Sequence, residues 1–311
     1  MTGLQVLQPG PLSLLQDGGR FGWQHLGVSP AGPLDLSAAA WANHLLGNPW
    51  GSPLLEVALG GLTLRSQVDT WVAVCGADLP ISVDEQPRPN WSRFALGAGQ
   101  QLQLGFVRSG QRAYLAVAGG FTAPPQLGSV ATQQREGIGG VHGDGRALQA
   151  GDLLHCASSE LAGVASVPWR YIPDYQQRPL LRVITGGDAL RFSEDQLQSF
   201  FAQHWSLSPQ SNRMGARLCG TPLIAPALPA ARQWSQGVSS GAIQVPGDGQ
   251  PIILMADRQS LGGYPLLGWL HPLDLGRLAQ VPAHHEVSFT AISLSDAQAE
   301  LRCFYRFFRG L

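Results

Sequence analysis

Apolar positions along the chain fall mostly into runs of four to seven residues that end in glycine, proline or other turn formers. Examples are Trp71 to Val74, Leu102 to Val107, Arg112 to Val117, Ile252 to Met255 and Glu286 to Ile292. Runs this short predict strands, and many of them together favour closed or nearly closed β-barrels over a parallel α/β sheet. Three helices stand apart. Leu34, Ala38, Trp41, Ala42, Leu45 and Leu46 form one stripe at helical spacing, and Gly47 supplies the stop. A second helix is predicted from Ser193, with Gln196 completing a capping box and Phe192 and Leu197 a hydrophobic staple. The last is predicted from near Ser295, with Gln298 at the boxed position and Ala297, Leu301, Phe304, Tyr305 and Phe308 buried.

Periodicity fades between Ala157 and Pro179, where Pro168, Pro173 and Pro179 interrupt the chain. This seam predicts an N-terminal subdomain over 1–165, a linker over 166–179 and a C-terminal subdomain over 180–311. Two faint echoes support related halves: Tyr114 to Gly128 resembles Ile252 to Gly268, and Arg20-Phe21-Gly22 resembles Arg213-Met214-Gly215.

Composition sharpens the picture. The 39 glycines and 23 prolines among 311 residues are too many for a helical bundle, while 44% hydrophobic residues argue against disorder. A net charge of −1 without a basic run argues against nucleic acid as partner. All 20 positive side chains are arginine. With no lysine there is no Schiff-base lysine, no biotinyl-lysine and no phosphate loop of the Gly-Lys-Ser/Thr type. Any anion must therefore be held by arginine, by backbone N–H groups or by a partner chain.

Cys75, Cys156, Cys219 and Cys303 lie far apart, as buried thiols of a cytoplasmic protein would, and the adjacent His284 and His285 would face opposite sides of a strand. No metal site built from this chain alone is expected. The opening Met1 to Gln8 does not read as a signal peptide, and no apolar run is long enough to cross a bilayer.

Three segments combine an acid or amide, an arginine and glycines: Gln16 to Arg20 followed by Gly27 to Asp35, Ser208 to Gly215, and Gly241 to Pro265. Glycine lets backbone amides approach a ligand, and arginine clamps a carboxylate or phosphate through paired hydrogen bonds. Asn212, Gln244 and Gln259 carry carboxamides able to donate to a substrate carbonyl and accept from its N–H. The plainer reading of each segment is a tight turn with Asx caps and a buried salt bridge. Position alone does not make Asp257 or Asp35 catalytic, and Asp35 at a helix start also favours the dipole.

The same segments, with Ala42-Asn43, Leu45 to Asn48, Arg112 to Gly120 and the run Gln210-Ser211-Asn212-Arg213-Met214-Gly215, resemble the family of 5-oxoprolinase C subunits. That family is also described as allophanate hydrolase subunit 2 or biotin-dependent carboxyltransferase-like. The resemblance covers almost the whole chain in order. One departure is Ser260-Leu261, where the family often has two threonines before Gly-Gly-Tyr; the lost hydroxyl puts a binding role for Leu261 in doubt.

The resemblance implies a mainly β fold of two cyclophilin-like barrel subdomains. It also implies a tight complex with a partner like the family's B subunit, a protein like its A subunit completing the enzyme, and ATP-dependent opening of 5-oxo-L-proline to L-glutamate. ATP and Mg²⁺ would be shared with or supplied through the partner, without covalent biotin, and the chain alone would be inactive. Arg213 and Asp257 would be catalytic. Asn212, Gln244, Gln259, Gly263, Tyr264, Arg20 and Asp35 would hold the substrate. Two other classes stay open: a carboxyltransferase component acting on urea or allophanate-type amides, and a non-enzymatic regulator that binds a kinase-inhibitor-like partner.

Overall fold

Thr70–Asp78 and Ser109–Val117 carry the longest apolar strands and pair antiparallel. They lie at the centre of a six-stranded sheet ordered Ala165–Ser166, Ser92–Leu96, Thr70–Asp78, Ser109–Val117, Leu54–Ala58, Leu12–Gln16. A second six-stranded sheet runs Leu153–His155, Gly3–Pro9, Leu62–Ser66, Gln101–Leu104, Ile81–Val83, Gln86–Arg88. Alternate side chains of both sheets, among them Leu4, Val6, Leu64, Leu102, Val72, Val74 and Leu115, meet in one buried cluster. The computed structural model describes residues 2–161, 163–228 and 234–310.

The chain resolves into two compact units, Met1–Phe21 with Ala31–Gln176, and Gly22–Pro30 with Gln177–Leu311. Their bounds differ from those expected. Ala165–Ser166 pairs with Arg93 and Ser92, and the Tyr175 hydroxyl donates to Asp35 Oδ2 at 3.1 Å, so 166–176 belongs to the first unit rather than to a linker. Residues 22–30 belong to the second because Gln24 Nε2 donates to the carbonyls of Val238 at 2.7 Å and Ser260 at 3.3 Å.

The second unit is a closed seven-stranded barrel: Leu180–Thr185, Leu266–Leu270, Ala242–Gln244, Ile252–Leu254, Gly215–Cys219, Trp205–Leu207 and Glu286–Ala291, the last returning to the first in parallel. A two-stranded ribbon, Gln236–Gly237 with Leu261–Gly262, accompanies it. The mainly β class expected from the run lengths is what forms.

The first two predicted helices form over Leu36–Leu45 and Glu194–Ala202, capped by Asp35 and Ser193. The last spans Leu294–Arg309 and is capped by Ser293, not Ser295, because Ser293 Oγ accepts from Asp296 N at 3.1 Å. Its expected core face is also corrected: of the five residues only Ala297 is buried, the rest being half-buried.

A fourth helix, Pro272–Ala279, escaped the pattern, and its cap is a histidine, His271. The fully buried His271 accepts from Leu273 N through Nδ1 and faces the Ala297 carbonyl through Nε2. The neutral ring with its proton on Nε2 does both. Burial, then the nearby Arg182, pull its pKa below the ordinary 6.5, against opposing contributions from Asp274 and Glu300. Below about pH 6.5 the unfolded chain binds a proton that the folded state resists, so stability falls as pH drops through that range. Tm is therefore expected to fall between pH 7 and 5, and to fall less in His271→Asn, which keeps a capping side chain; equal slopes would remove His271 as the cause.

Candidate functional site

In the barrel, Gly215 pairs with Leu254 at the end of an antiparallel ladder, and the chain continues the pairing one step further. Met255 N donates to Met214 O, and Asp257 N donates to Arg213 O at 2.8 Å. This aligns the side chains of Arg213 and Asp257, so that Arg213 Nε and Nη2 donate to Asp257 Oδ2 and Oδ1, both at 2.8 Å. Both residues are buried, and the fork-on-fork pair neutralises both charges. The two residues expected to be catalytic are thus brought together, with the fork of one occupied by the other. Asn212 is exposed and makes an Asx turn: its Oδ1 accepts from Met214 N at 2.8 Å and Gly215 N at 3.3 Å.

Arg258, next along the chain, lies in the run Gly241 to Pro265 but has no local sequence feature that singles it out. It is 3% exposed, and no acidic side chain among the described residues pairs with it. Its Nε donates to Val238 O at 3.2 Å, Nη1 to Ser240 Oγ at 3.1 Å and Nη2 to Gln24 Oε1 at 3.2 Å. Burial pulls its pKa below the ordinary guanidinium value, yet arginine keeps its charge in proteins. The Gln24 contact joins positions 234 apart in sequence, which no local pattern signals.

Gln244 faces Leu266 across the barrel ladder, which brings it beneath the chain preceding Leu266. It is buried, and no side-chain hydrogen bond holds its carboxamide among the described residues. Its Nε2 lies against Gly262, where a Cβ would come within 2.3 Å. The neighbouring Gly263 and Tyr264 are exposed, and Gln259 is half-buried. The second unit therefore gathers Arg213, Asp257, Arg258, Gln244 and the Gln259–Tyr264 segment at one region of the barrel.

Arg20 and Asp35 lie in the first unit, engaged by its own structure. Arg20 is 1% exposed and donates to the carbonyls of Gln126, Ser129 and Ala131. Asp35 Oδ1 accepts from Ala38 N at 3.0 Å, capping the first helix, while Oδ2 accepts from Tyr175. The Asp35 N–H donates to the Tyr114 hydroxyl, which donates to the buried Glu56 carboxylate at 2.9 Å. Burial, then Glu56, push the Tyr114 pKa well up, so the phenol keeps the proton that it donates. Glu56 gave no sequence signal, because its partners are remote along the chain.

Among the described residues, no three His, Cys, Asp or Glu side chains gather as a metal site would require, and no helix is long and apolar enough to cross a membrane.

Residues 26–291 match the family described as carboxyltransferase domain, subdomain A and B. The chain is 36% identical to the C subunit of 5-oxoprolinase from Escherichia coli K12 over 313 residues, 99% of this chain and 97% of that protein. It is 36% identical to the C subunit of 5-oxoprolinase from Haemophilus influenzae over 303 residues, 96% of this chain and 94% of that protein. The crystal structure of K. lactis urea amidolyase is similar with a TM-score of 0.86 at 28% identity, over 98% of this chain and 20% of that one.

Proposed function

The chain belongs to the carboxyltransferase domain family, subdomains A and B, and from that premise we propose that it is the C-type subunit of an ATP-dependent 5-oxoprolinase. The supporting observation is the extent of the match. It runs almost end to end in two bacterial 5-oxoprolinase C subunits, whereas the same fold is about one fifth of the urea amidolyase chain. In this reading the partners of the chain are B-type and A-type 5-oxoprolinase proteins.

A lactam is a poor electrophile. Phosphoryl transfer from ATP to its carbonyl oxygen, releasing ADP, converts that oxygen into part of a phosphate leaving group. Water then adds to the same carbon and the ring C–N bond breaks, the nitrogen taking a proton, to give an acyl phosphate; a second water hydrolyses that acyl phosphate, releasing phosphate and L-glutamate. Such a reaction depends on positioning and charge stabilisation. In this chain the Arg213–Asp257 pair is internally neutral, so Arg258 is the buried positive charge available to a substrate carboxylate. In this reading the nucleotide and its Mg²⁺ are shared with or supplied through the partner proteins.

The test is ADP release by the chain purified with its genomic neighbours. Turnover is expected only with 5-oxoproline and only in the complex, with none from the chain alone. A complex that carboxylates urea but ignores 5-oxoproline would support the carboxyltransferase reading; partner binding with no ATP turnover on any lactam would support the regulatory one.

A further inference from the structure

Residues 22–30 enter the second unit as a short strap built round the turn Gln24–Leu26. From Gly22 to Val28 no residue is buried, and Leu26 is 64% exposed, so burial contributes little to holding the strap down. Gly22 and Gly27 bracket the turn in the left-handed region, at φ of 90° and 86°, and a Cβ at either would meet nothing within 4 Å. Backbone conformation, not crowding, calls for glycine at both, and the open space leaves their torsions room to change.

The Gln24 carboxamide is the anchor. Its Nε2 donates to Val238 O at 2.7 Å and Ser260 O at 3.3 Å, and its Oε1 accepts from Arg258 Nη2 at 3.2 Å. Val238 N donates to Ser260 O, and Val238 O also accepts from Arg258 Nε, so one polar ring joins the strap, the foot of the ribbon and the cation. Arg258 is 3% exposed, its three nitrogens meet neutral acceptors, and no acidic side chain among the described residues pairs with it. A buried charge in that state is poorly compensated, and an oxyanion or bulk water would compensate it better than neutral oxygens do.

We propose that residues 22–27 are an anion-responsive latch on Arg258: closed, Gln24 caps the guanidinium; an oxyanion arriving at Nη2 takes the place of Gln24 Oε1, and the strap swings free on Gly22 and Gly27. At the cation one hydrogen bond replaces another, with a charged acceptor in place of a neutral one, which favours the open form. Gln24 gives up two carbonyl partners and finds water instead. The anion shifts the population by its preference for the uncapped guanidinium, and a neutral ligand has no such preference. Carboxylate and phosphate share this chemistry. The latch stands apart from the 5-oxoprolinase reading; only a substrate carboxylate as its opener rests on that reading.

The experiment takes two readouts on the full chain: deuterium uptake over residues 22–28, where Leu26 N and Gly27 N are held by the turn, and the rate at which phenylglyoxal modifies Arg258. In Gln24→Ala both are expected to rise about tenfold or more, while uptake in the barrel strands Ile252–Leu254 and Leu266–Leu270 stays level. In the parent chain, at ionic strength held constant with sodium chloride, 5-oxoproline and inorganic phosphate are each expected to raise uptake over 22–28, and 2-pyrrolidinone, which has no carboxylate, is expected to leave it unchanged. Arg258→Met is expected to lose the response to both oxyanions while its Tm stays level or rises, because it removes a poorly compensated buried charge. A response to phosphate but not to 5-oxoproline would uphold the latch and overturn a substrate carboxylate as its opener, with the 5-oxoprolinase reading still decided by ADP release. A response to neither oxyanion, an equal response to 2-pyrrolidinone, a response that survives Arg258→Met, or unchanged uptake and modification in Gln24→Ala would overturn the latch.

Discussion

Arg213→Ala is expected to lower the unfolding free energy by about 3–5 kcal/mol, the usual cost of removing one member of a buried ion pair. Arg213 and Asp257 are each less than a tenth exposed, and two 2.8 Å hydrogen bonds join them. Alanine leaves the Asp257 carboxylate buried without its fork, at the point where Asp257 N and Arg213 O extend the barrel ladder. Asp257→Ala should cost a similar amount by stranding the guanidinium. The double variant should cost clearly less than the sum, since neither charge is then left alone. Urea denaturation of the four proteins measures the coupling. A single-variant loss below about 1 kcal/mol would show that the pair is not what closes this end of the ladder. The folding readout matters because lost activity alone would not separate a catalytic arginine from one that holds a strand end in register.

This pair also shows how far the sequence could be read. Gln210 to Gly215 and Gly241 to Pro265 were marked by their mixture of amides, arginines and glycines, and the barrel brings these segments together. What the string of residues does not carry is whether each polar group faces a ligand or another residue. Asn212 and Arg213 look alike as binding residues, yet one bonds the turn backbone and the other an acid 44 positions away. Arg258 and Gln244 are the converse: nothing nearby in sequence marks them as lacking an acid or a hydrogen-bond partner, because a missing partner is a property of the folded surroundings.

Local signals fared by their degeneracy. Ser193 has a single reading as a cap and was found. Ser293 and Ser295 both have a suitable residue three positions on, and local pattern does not choose between them. Pro272–Ala279 has proline at its start but a histidine cap and a mid-helix Gly276, which together mask a short helix that tertiary packing makes stable. The apolar stripe of the last helix predicted burial of four large side chains that are only half-covered, since periodicity identifies a face without supplying the surface that covers it.

Arg20→Ala should loosen one loop of the first unit specifically. The run from Gln16 to Arg20, chosen from sequence as a ligand cradle, is a clamp on residues 126–132. Gln16 Nε2 holds Thr132 O, and Asp17 accepts from Ser129 Oγ at 2.6 Å and Val130 N at 2.7 Å. Arg20 spreads across the carbonyls of Gln126, Ser129 and Ala131 at 2.9, 3.2 and 3.0 Å. That stretch lies outside the sheets, so these side chains do for its backbone what a ladder does elsewhere. Charge-assisted bonds contribute about 1.5–3 kcal/mol each, and three carbonyls would be left without the cation, so a loss of about 3–5 kcal/mol is expected. Arg20→Lys should recover less than half, because an ammonium on a flexible stem does not reproduce the planar fork. Hydrogen exchange should rise by tenfold or more across 126–139 in Arg20→Ala, with the paired strands Thr70–Asp78 and Ser109–Val117 far less affected. Unchanged exchange in the loop would show that Asp17 and Gln16 hold it unaided.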